Sequence, residues 1–304
     1  MKYIPAKTMI SPYMRSNEWF GTNYNMNIYK GCSHGCIYCD SRSSCYRIEN
    51  FDEVRAKENA LQMIRDELRR KVKKGVVGTG AMSDPYNPFE KELKLTRNAL
   101  ELINAYEFGV AIATKSDLIT RDIDILQDIK KHSPTLAKIT ITTFDDTLCK
   151  KIEPHVCVSS KRFKAVKELA AAGIFTGVLL MPILPFINDQ EENILNIVKT
   201  AHACGAKFVL AYGMGVTLRQ NQREYFYDQL DRIFPEEFLK EKYIQIFQNK
   251  YQCSSPNSRR LGYIFRAECK KLGLLYKMDE IISAYRQGYD EEKQLSLFSV
   301  IEAR

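Results

Sequence analysis

Apolar positions fall in two rhythms along this chain. Short runs, apolar on both faces, occur at "NYNMNIYKG", "GVVGTG", "GVAIATK", "AKITITT", "IFTGVLLMPIL" and "AKFVLAYG". Between them lie longer stretches whose apolar residues recur every three or four positions. The first rhythm predicts buried parallel strands and the second amphipathic helices. The first strand is expected from Asn25 to Tyr29, and a long helix from Glu53 to Val72, capped by Asp52 and ending on the basic "RRKVKK". Further helices are expected over 96–106, 121–131, 161–172 and 191–204. Beyond about Val216 the pattern turns to helices only, over 218–234, 236–250 and 258–272.

Strands alternating with helices in this way predict an α/β fold with a parallel sheet. Six units are too few for a closed eight-unit barrel, so the expected architecture is a partial (β/α)6 TIM-type barrel with a C-terminal helical extension. The expected organisation is an N-terminal extension over 1–23, the barrel over 24–215, a helical and partly basic extension over 216–288, and a loose tail over 289–304. Each unusual loop ("GCSHGCIYC", "GAMSDPYNP", "TK", "TTFDD", "MPILPF", "YGMGVT") directly follows a strand. Parallel strands gather such loops at one edge, so a single shared site is expected there.

Composition narrows the class. The 304 residues carry 45 Lys+Arg against 37 Asp+Glu, a net charge of +8. Nothing resembles an eighteen-residue apolar span, so no membrane partner is expected. The N-terminus lacks the pattern of an export signal, and a cytoplasmic location is expected. In a reducing compartment, clustered cysteines hold metal or do redox work more often than they form bridges.

Three of the nine cysteines cluster in "KGCSHGCIYCD": Cys32, Cys36 and Cys39. By composition alone that spacing is expected in about one such chain in a hundred. Two metal readings fit the thiols. Zinc would need a fourth ligand, for which His34 or Cys45 is available. A [4Fe–4S] cluster held by three cysteines leaves one iron open to a small ligand.

The Cys-x₃-Cys-x₂-Cys spacing, with aromatic Tyr38 before the last cysteine and a strand just ahead, resembles the radical S-adenosylmethionine superfamily. "IATKSDLITRDIDIL", "TITTFDDTLCKKIEP" and "FKAVKELAAAGIFTGVLLMPIL" further resemble its spore photoproduct lyase branch, the DNA repair photolyases. The resemblance implies a [4Fe–4S] cluster on Cys32, Cys36 and Cys39, with S-adenosylmethionine chelated at the open iron and cleaved on reduction to a 5′-deoxyadenosyl radical. It implies a cofactor pocket from Tyr38, Gly78, Thr79, Gly80, Ser83, Asp84, Lys115 and Thr142 or Thr143, with Lys115 on the cofactor's end group and Tyr38 by the adenine. It also implies an electron donor such as flavodoxin or ferredoxin. Lys115 as a solvated strand end, and "SDP" as a plain turn, are the plainer readings of the same residues.

The match has gaps. Photoproduct lyases return hydrogen through a cysteine whose position here is Ala81, and carry a tyrosine where this chain has Asp40. Cys45, Tyr86 and Cys149 are the available substitutes for that relay. Two features outside the barrel bear on partners. "QLSLF" (Gln294, Leu295, Leu297 and Phe298) resembles the pentapeptide that docks on the bacterial sliding clamp. Folding back onto the chain's own helices is the alternative. Arg259, Arg260, Arg266, Lys270 and Lys271, interleaved with Tyr263 and Phe265, suit phosphates and stacked bases, or a solvated helix face. The expected function is radical cleavage of S-adenosylmethionine with hydrogen abstraction from nucleic acid in a DNA-repair, lyase-like reaction. An RNA-modifying or small-molecule enzyme of the same chemistry, and a non-enzymatic zinc or Fe–S adaptor on the clamp, are the rivals.

Overall fold

A computed structural model describes residues 1–13 and 18–289. Six strands pair in parallel and in chain order: β1 (Tyr24–Met26), β2 (Val76–Thr79), β3 (Gly109–Thr114), β4 (Thr135–Thr140), β5 (Phe175–Leu179) and β6 (Phe208–Leu210). Ile10–Pro12 runs antiparallel beside β1 as the edge. Among the described residues the two outer strands do not pair, so the sheet stays open. The expected α/β class and partial barrel are therefore present. Helices α1 (Ala60–Arg70), α2 (Leu95–Ala105), α3 (Ile123–Lys130), α4 (Ser159–Ala171) and α5 (Glu191–Ala203) fall between the strands. They are followed by α6 (Gln222–Ile233), α7 (Leu239–Phe247), α8 (Ser258–Lys271) and α9 (Met278–Arg286).

Alternation along each strand sorts the core into two layers. Val77, Val110, Ile112, Ala137, Ile139 and Val178 pack outward on helix residues such as Ile64, Ile103, Leu126 and Val166. Val76, Ala111, Ala113, Leu136, Leu179 and Phe208 pack inward on Phe20, Ile281 and Tyr285. Trp19–Gly21 and α9 thus fill the concave face, tied together where the Tyr285 hydroxyl donates to the Phe20 carbonyl at 2.6 Å. Each fully buried Leu, Ile or Phe contributes roughly 1.5–3 kcal/mol, so both layers are substantial.

Three expectations are corrected. The first helix starts at Ala60, not Glu53, because Arg55–Lys57 is a strand between Lys2–Ile4 and Tyr29–Lys30. Val54, Arg55 and Ala56 are all buried, and Asp52 binds the Arg42 guanidinium rather than capping a helix. The C-terminal part is not helices only: Gly215–Thr217 pairs antiparallel with Gln252–Ser254. Finally, three helices join the expected set among the described residues: α9, the single turn Glu90–Leu93, and the short helix Asp146–Ile152, capped where the Asp145 carboxylate accepts the Thr147 N–H at 2.7 Å. Among the described residues no helix is long and apolar enough to cross a membrane.

Candidate active site

The cysteine loop leaves Tyr29–Lys30 through Gly31, whose φ of +82° suits glycine, and where an added Cβ would lie 2.5 Å from the Glu53 carbonyl oxygen. Backbone hydrogen bonds then pin it. Cys32 N–H donates to the Phe51 carbonyl at 2.8 Å, Ile37 N–H to Ile152 at 3.0 Å, and His155 N–H to His34 at 3.1 Å. Cys36, Ile37 and Tyr38 pack in one apolar cluster with Phe226, Tyr227 and Leu230 of α6 and Tyr243 and Phe247 of α7. The helical extension therefore backs the loop. Cys32 and Cys36 are buried, Cys39 is half-buried, and all three are free thiols. Burial pushes the Cys32 thiol up to about 11 and raises Cys36 and Cys39 as well.

Asp84 is the hub beside this loop. Its carboxylate accepts from the Thr114 hydroxyl at 2.6 Å, the Tyr86 N–H at 2.9 Å and the Lys115 N–H at 2.8 Å. It also faces His34 Nδ1 at 3.6 Å. Burial lowers the His34 pKa, and the carboxylate opposes that only in part. The Ser83 hydroxyl donates to the Tyr29 carbonyl at 2.9 Å. These two residues tie the loop after β2 to the end of β3 and to the strand entering the cysteine loop. Gly80 has a φ of +91°, and a Cβ there would sit 1.9 Å from the Ala113 carbonyl oxygen. Backbone thus passes backbone where only hydrogen fits.

Behind the cysteines lies a buried charged network. The Tyr38 hydroxyl donates to Glu153. Arg162 forms an ion pair with Glu153 at 2.5 Å, both side chains being fully buried. Arg162 also donates to the Cys157 carbonyl at 2.7 Å and the Thr140 carbonyl at 3.0 Å. The Thr142 hydroxyl lies 3.4 Å from Glu153, and Cys149 Sγ lies 3.5 Å from it. The Lys115 ammonium stands 5.6 Å from the centre of the Tyr38 ring. Burial alone would lower its pKa, but Cys36 and Glu153 outweigh that and hold it up. Burial likewise opposes ionisation of Glu153, yet Arg162 and Lys115 keep its pKa low. Tyr38, Lys115 and Thr142, distant in sequence, are brought together; Thr143, next to Thr142 in the chain, is buried as well.

The family model of the radical SAM superfamily matches residues 26–201. The chain belongs to the radical SAM superfamily. Among its curated relatives, an uncharacterised protein of Methanocaldococcus jannaschii is 37% identical over 191 residues, which cover 62% of this chain and 69% of the relative. An uncharacterised protein of Mycobacterium tuberculosis is 28% identical over 232 residues, covering 74% and 67% respectively. The fold is that of spore photoproduct lyase. One structure of that enzyme, in complex with a dinucleoside spore photoproduct, superposes with a TM-score of 0.63 at 14% identity, covering 90% of this chain and 80% of that one. Another, of a point mutant of the same enzyme, gives a TM-score of 0.66 at 13% identity, covering 90% and 81%.

In this radical SAM chain the cysteine loop fits the cluster the family carries. Three free thiols, two buried and one half-buried, stand on one short loop, backed by apolar side chains, with the Lys115 cation in electrostatic reach. Thiols raised by burial become good ligands once a cation compensates their charge. Among the described residues no three His, Cys, Asp or Glu side chains gather as the ligands of one metal ion do. A cube takes its thiolates at separate corners. His34 is turned onto Asp84, and Cys45 is exposed, between the Ser43 hydroxyl and Arg219 at 3.2 Å each.

The other expected residues separate. Gly78 and Thr79 lie in β2, with Thr22 filling the space over Gly78. Tyr86 is buried, its ring 5.9 Å from the Arg121 guanidinium. Of the three relay candidates only Cys149 contacts the charged network. Arg259, Arg260, Arg266, Lys270 and Lys271 are all exposed on α8, but Arg260 pairs with Glu191 and Lys271 with Glu268. Tyr263 is exposed, whereas Phe265 is buried in the core and is corrected as a stacking candidate. Gln294, Leu295, Leu297 and Phe298 lie outside the described residues. Sequence reasoning missed Glu153 and Arg162. Arg162 did leave a signal, as a charge on the apolar stripe of α4 with Ser159, Phe163, Val166 and Leu169.

Proposed function

We propose that this radical SAM enzyme reductively cleaves S-adenosylmethionine and abstracts hydrogen from a nucleic-acid substrate, damaged DNA being the class favoured. The observation that carries the reading is the convergence of Cys32, Cys36 and Cys39 with Lys115, Tyr38 and Thr142 at the C-terminal edge of the sheet. Cys32, Cys36 and Cys39 would hold the [4Fe–4S] cluster. When bound, cluster and S-adenosylmethionine together supply one-electron cleavage of a sulfonium and a carbon radical that takes hydrogen from substrate.

The chain's own residues do the rest. Lys115 keeps a cation facing the pocket and suits the carboxylate of the cofactor. Glu153 and Arg162 fix Tyr38 from behind, so that its ring stays in one orientation beside Lys115. Gly80 keeps side-chain bulk out of the turn entering the pocket. The apolar packing of α6 and α7 on Cys36, Ile37 and Tyr38 keeps water from the part of the loop it covers. Nucleic acid is supported by the fold shared with a lyase solved on a dinucleoside lesion and by the exposed cations of α8. Reaction by the lyase's own hydrogen relay is not part of the proposal, because Ala81 and Asp40 occupy the relay positions.

Oxygen-free protein, reconstituted with iron and sulfide, is expected to release 5′-deoxyadenosine on reduction, and Cys36→Ala protein is not. Equal release by both would refute the reading. Ultraviolet-irradiated DNA, tRNA and no substrate should then be compared. The damaged-DNA assignment requires that irradiated DNA accelerate cleavage most; greater acceleration by tRNA, or by neither, sinks that part alone.

A further inference from the structure

The cysteine loop has a second side. The residues between the cysteines, Ser33, Gly35 and Ile37, line a surface cleft of about 730 Å³, whereas Cys32, Cys36 and Cys39 do not line it. Its rim carries Lys150, Lys151 and His155 from the short helix Asp146–Ile152 and the turn after it, and Arg232 from α6. All four are exposed. Among the described residues Lys150, Lys151 and Arg232 have no ion-pair partner. The acidic residue of the lining, Asp52, is already bound by Arg42, whose guanidinium stacks on the Tyr225 ring at 3.9 Å. The cleft therefore combines a cationic rim with a floor that includes Ile37 and Ile233.

Position gives this charge a use. Gly35 and Ile37 flank Cys36 in the chain, and the His155 ring rests on Gly35, 2.8 Å from where a Cβ would stand. A molecule seated in the cleft would be separated from the thiols by the loop alone. Lys115 and Thr142 meet the same loop from the sheet edge, and neither of them lines the cleft. A charged cleft with an apolar floor suits a partner that approaches by electrostatic steering and must dissociate again.

We propose that this cleft docks an acidic one-electron carrier protein that reduces the cluster. The inference rests on the cluster reading given above. The carrier, in its reduced form, gives up one electron and is oxidised by one; the cluster gains that electron, and no atom is transferred and no bond is made or broken between the two proteins.

Flavodoxin is the probe. Titrating oxidised flavodoxin calorimetrically into both metal-free and cluster-loaded protein should show binding that weakens steeply between about 50 and 200 mM salt. The triple variant Lys150→Glu, Lys151→Glu, Arg232→Glu should bind at least about tenfold more weakly. Flavodoxin-driven cleavage of S-adenosylmethionine should fall by a similar factor in that variant, while dithionite-driven cleavage stays at the wild-type rate. If charge reversal unfolds the protein, the Lys150→Gln, Lys151→Gln pair should show the same split to a smaller degree. Unchanged flavodoxin affinity in either variant overturns the proposal. So does loss of affinity for a short DNA duplex with flavodoxin binding intact, which would assign the cleft to nucleic acid. Wild-type protein that cleaves nothing with either reductant would instead refute the radical reading, and the binding arm still decides the cleft.

Discussion

Lys138 places an ammonium on the concave face of the sheet, in register with Ala113 and Gly177 and 4.5 Å from the Phe20 ring. Burial drives its pKa down to about 7, far below the roughly 10.4 of an unfolded lysine. Between those values the unfolded chain binds the proton more tightly, so stability should rise with pH through the window and be lowest below pH 7. Lys138→Met is expected to flatten that slope and to stabilise the protein at pH 7 by a few kcal/mol, on the order of the burial penalty. Urea midpoints at pH 7 and pH 9 check this, and a slope identical in both proteins would contradict it. Gly80 is the opposite case, since Gly80→Ala forces a methyl against the Ala113 backbone at a positive φ. A loss of roughly 1–3 kcal/mol or more is expected, read from the urea midpoint. At this scale the cysteine triplet stood out because three thiols at a spacing rare by composition lie in one short segment. Glu153 and Arg162 did not, because ordinary charged residues become a buried pair only once α4 packs on the sheet.

Elements explain why the loop holds its shape. Its cysteines come from one short segment, but the apolar wall behind them comes from α6 and α7, nearly two hundred residues later. Phe226 stands in that wall, 5.2 Å from Tyr243. Phe226→Ala should lower stability by about 3–5 kcal/mol, as an emptied aromatic site does. It should also reduce iron retained after desalting, since the wall no longer fixes Cys36 and Tyr38. Full iron content with lowered stability would detach the wall from the site. The helices of the barrel were legible within a residue or two because amphipathic periodicity is local. The start of α1 was not, because polar residues ahead of it continue a helical pattern, while pairing with Lys2–Ile4 and Tyr29–Lys30 decides for a strand. The antiparallel pair of Gly215–Thr217 with Gln252–Ser254 escaped for the same reason, each three-residue strand being meaningless without its partner.

The whole molecule sets the two approaches to the site. On the proposed reading, substrate meets the C-terminal edge of the open sheet and electrons enter from the cleft outside the cysteine loop. On α8, Arg259, Arg266 and Lys270 remain exposed and free of ion pairs among the described residues. Replacing all three with Gln should weaken binding of a short duplex about equally for any sequence and reduce its salt dependence by roughly one unit of slope for each phosphate no longer neutralised. Unchanged affinity across a salt series would remove α8 from the nucleic-acid surface. The sequence by itself determined the parallel α/β architecture, the thiol triplet and the clustering of unusual loops at one edge, because those rest on local periodicity and on the direction of strands. Tertiary structure alone decided that Asp84 and Ser83 serve as ties, that Glu153 and Arg162 brace Tyr38, and that Phe265 is core while Tyr263 is surface. It also decided which side of the loop meets Lys150, Lys151 and Arg232. Burial and ion pairing depend on residues far apart in the chain, and no local pattern encodes which of them will meet.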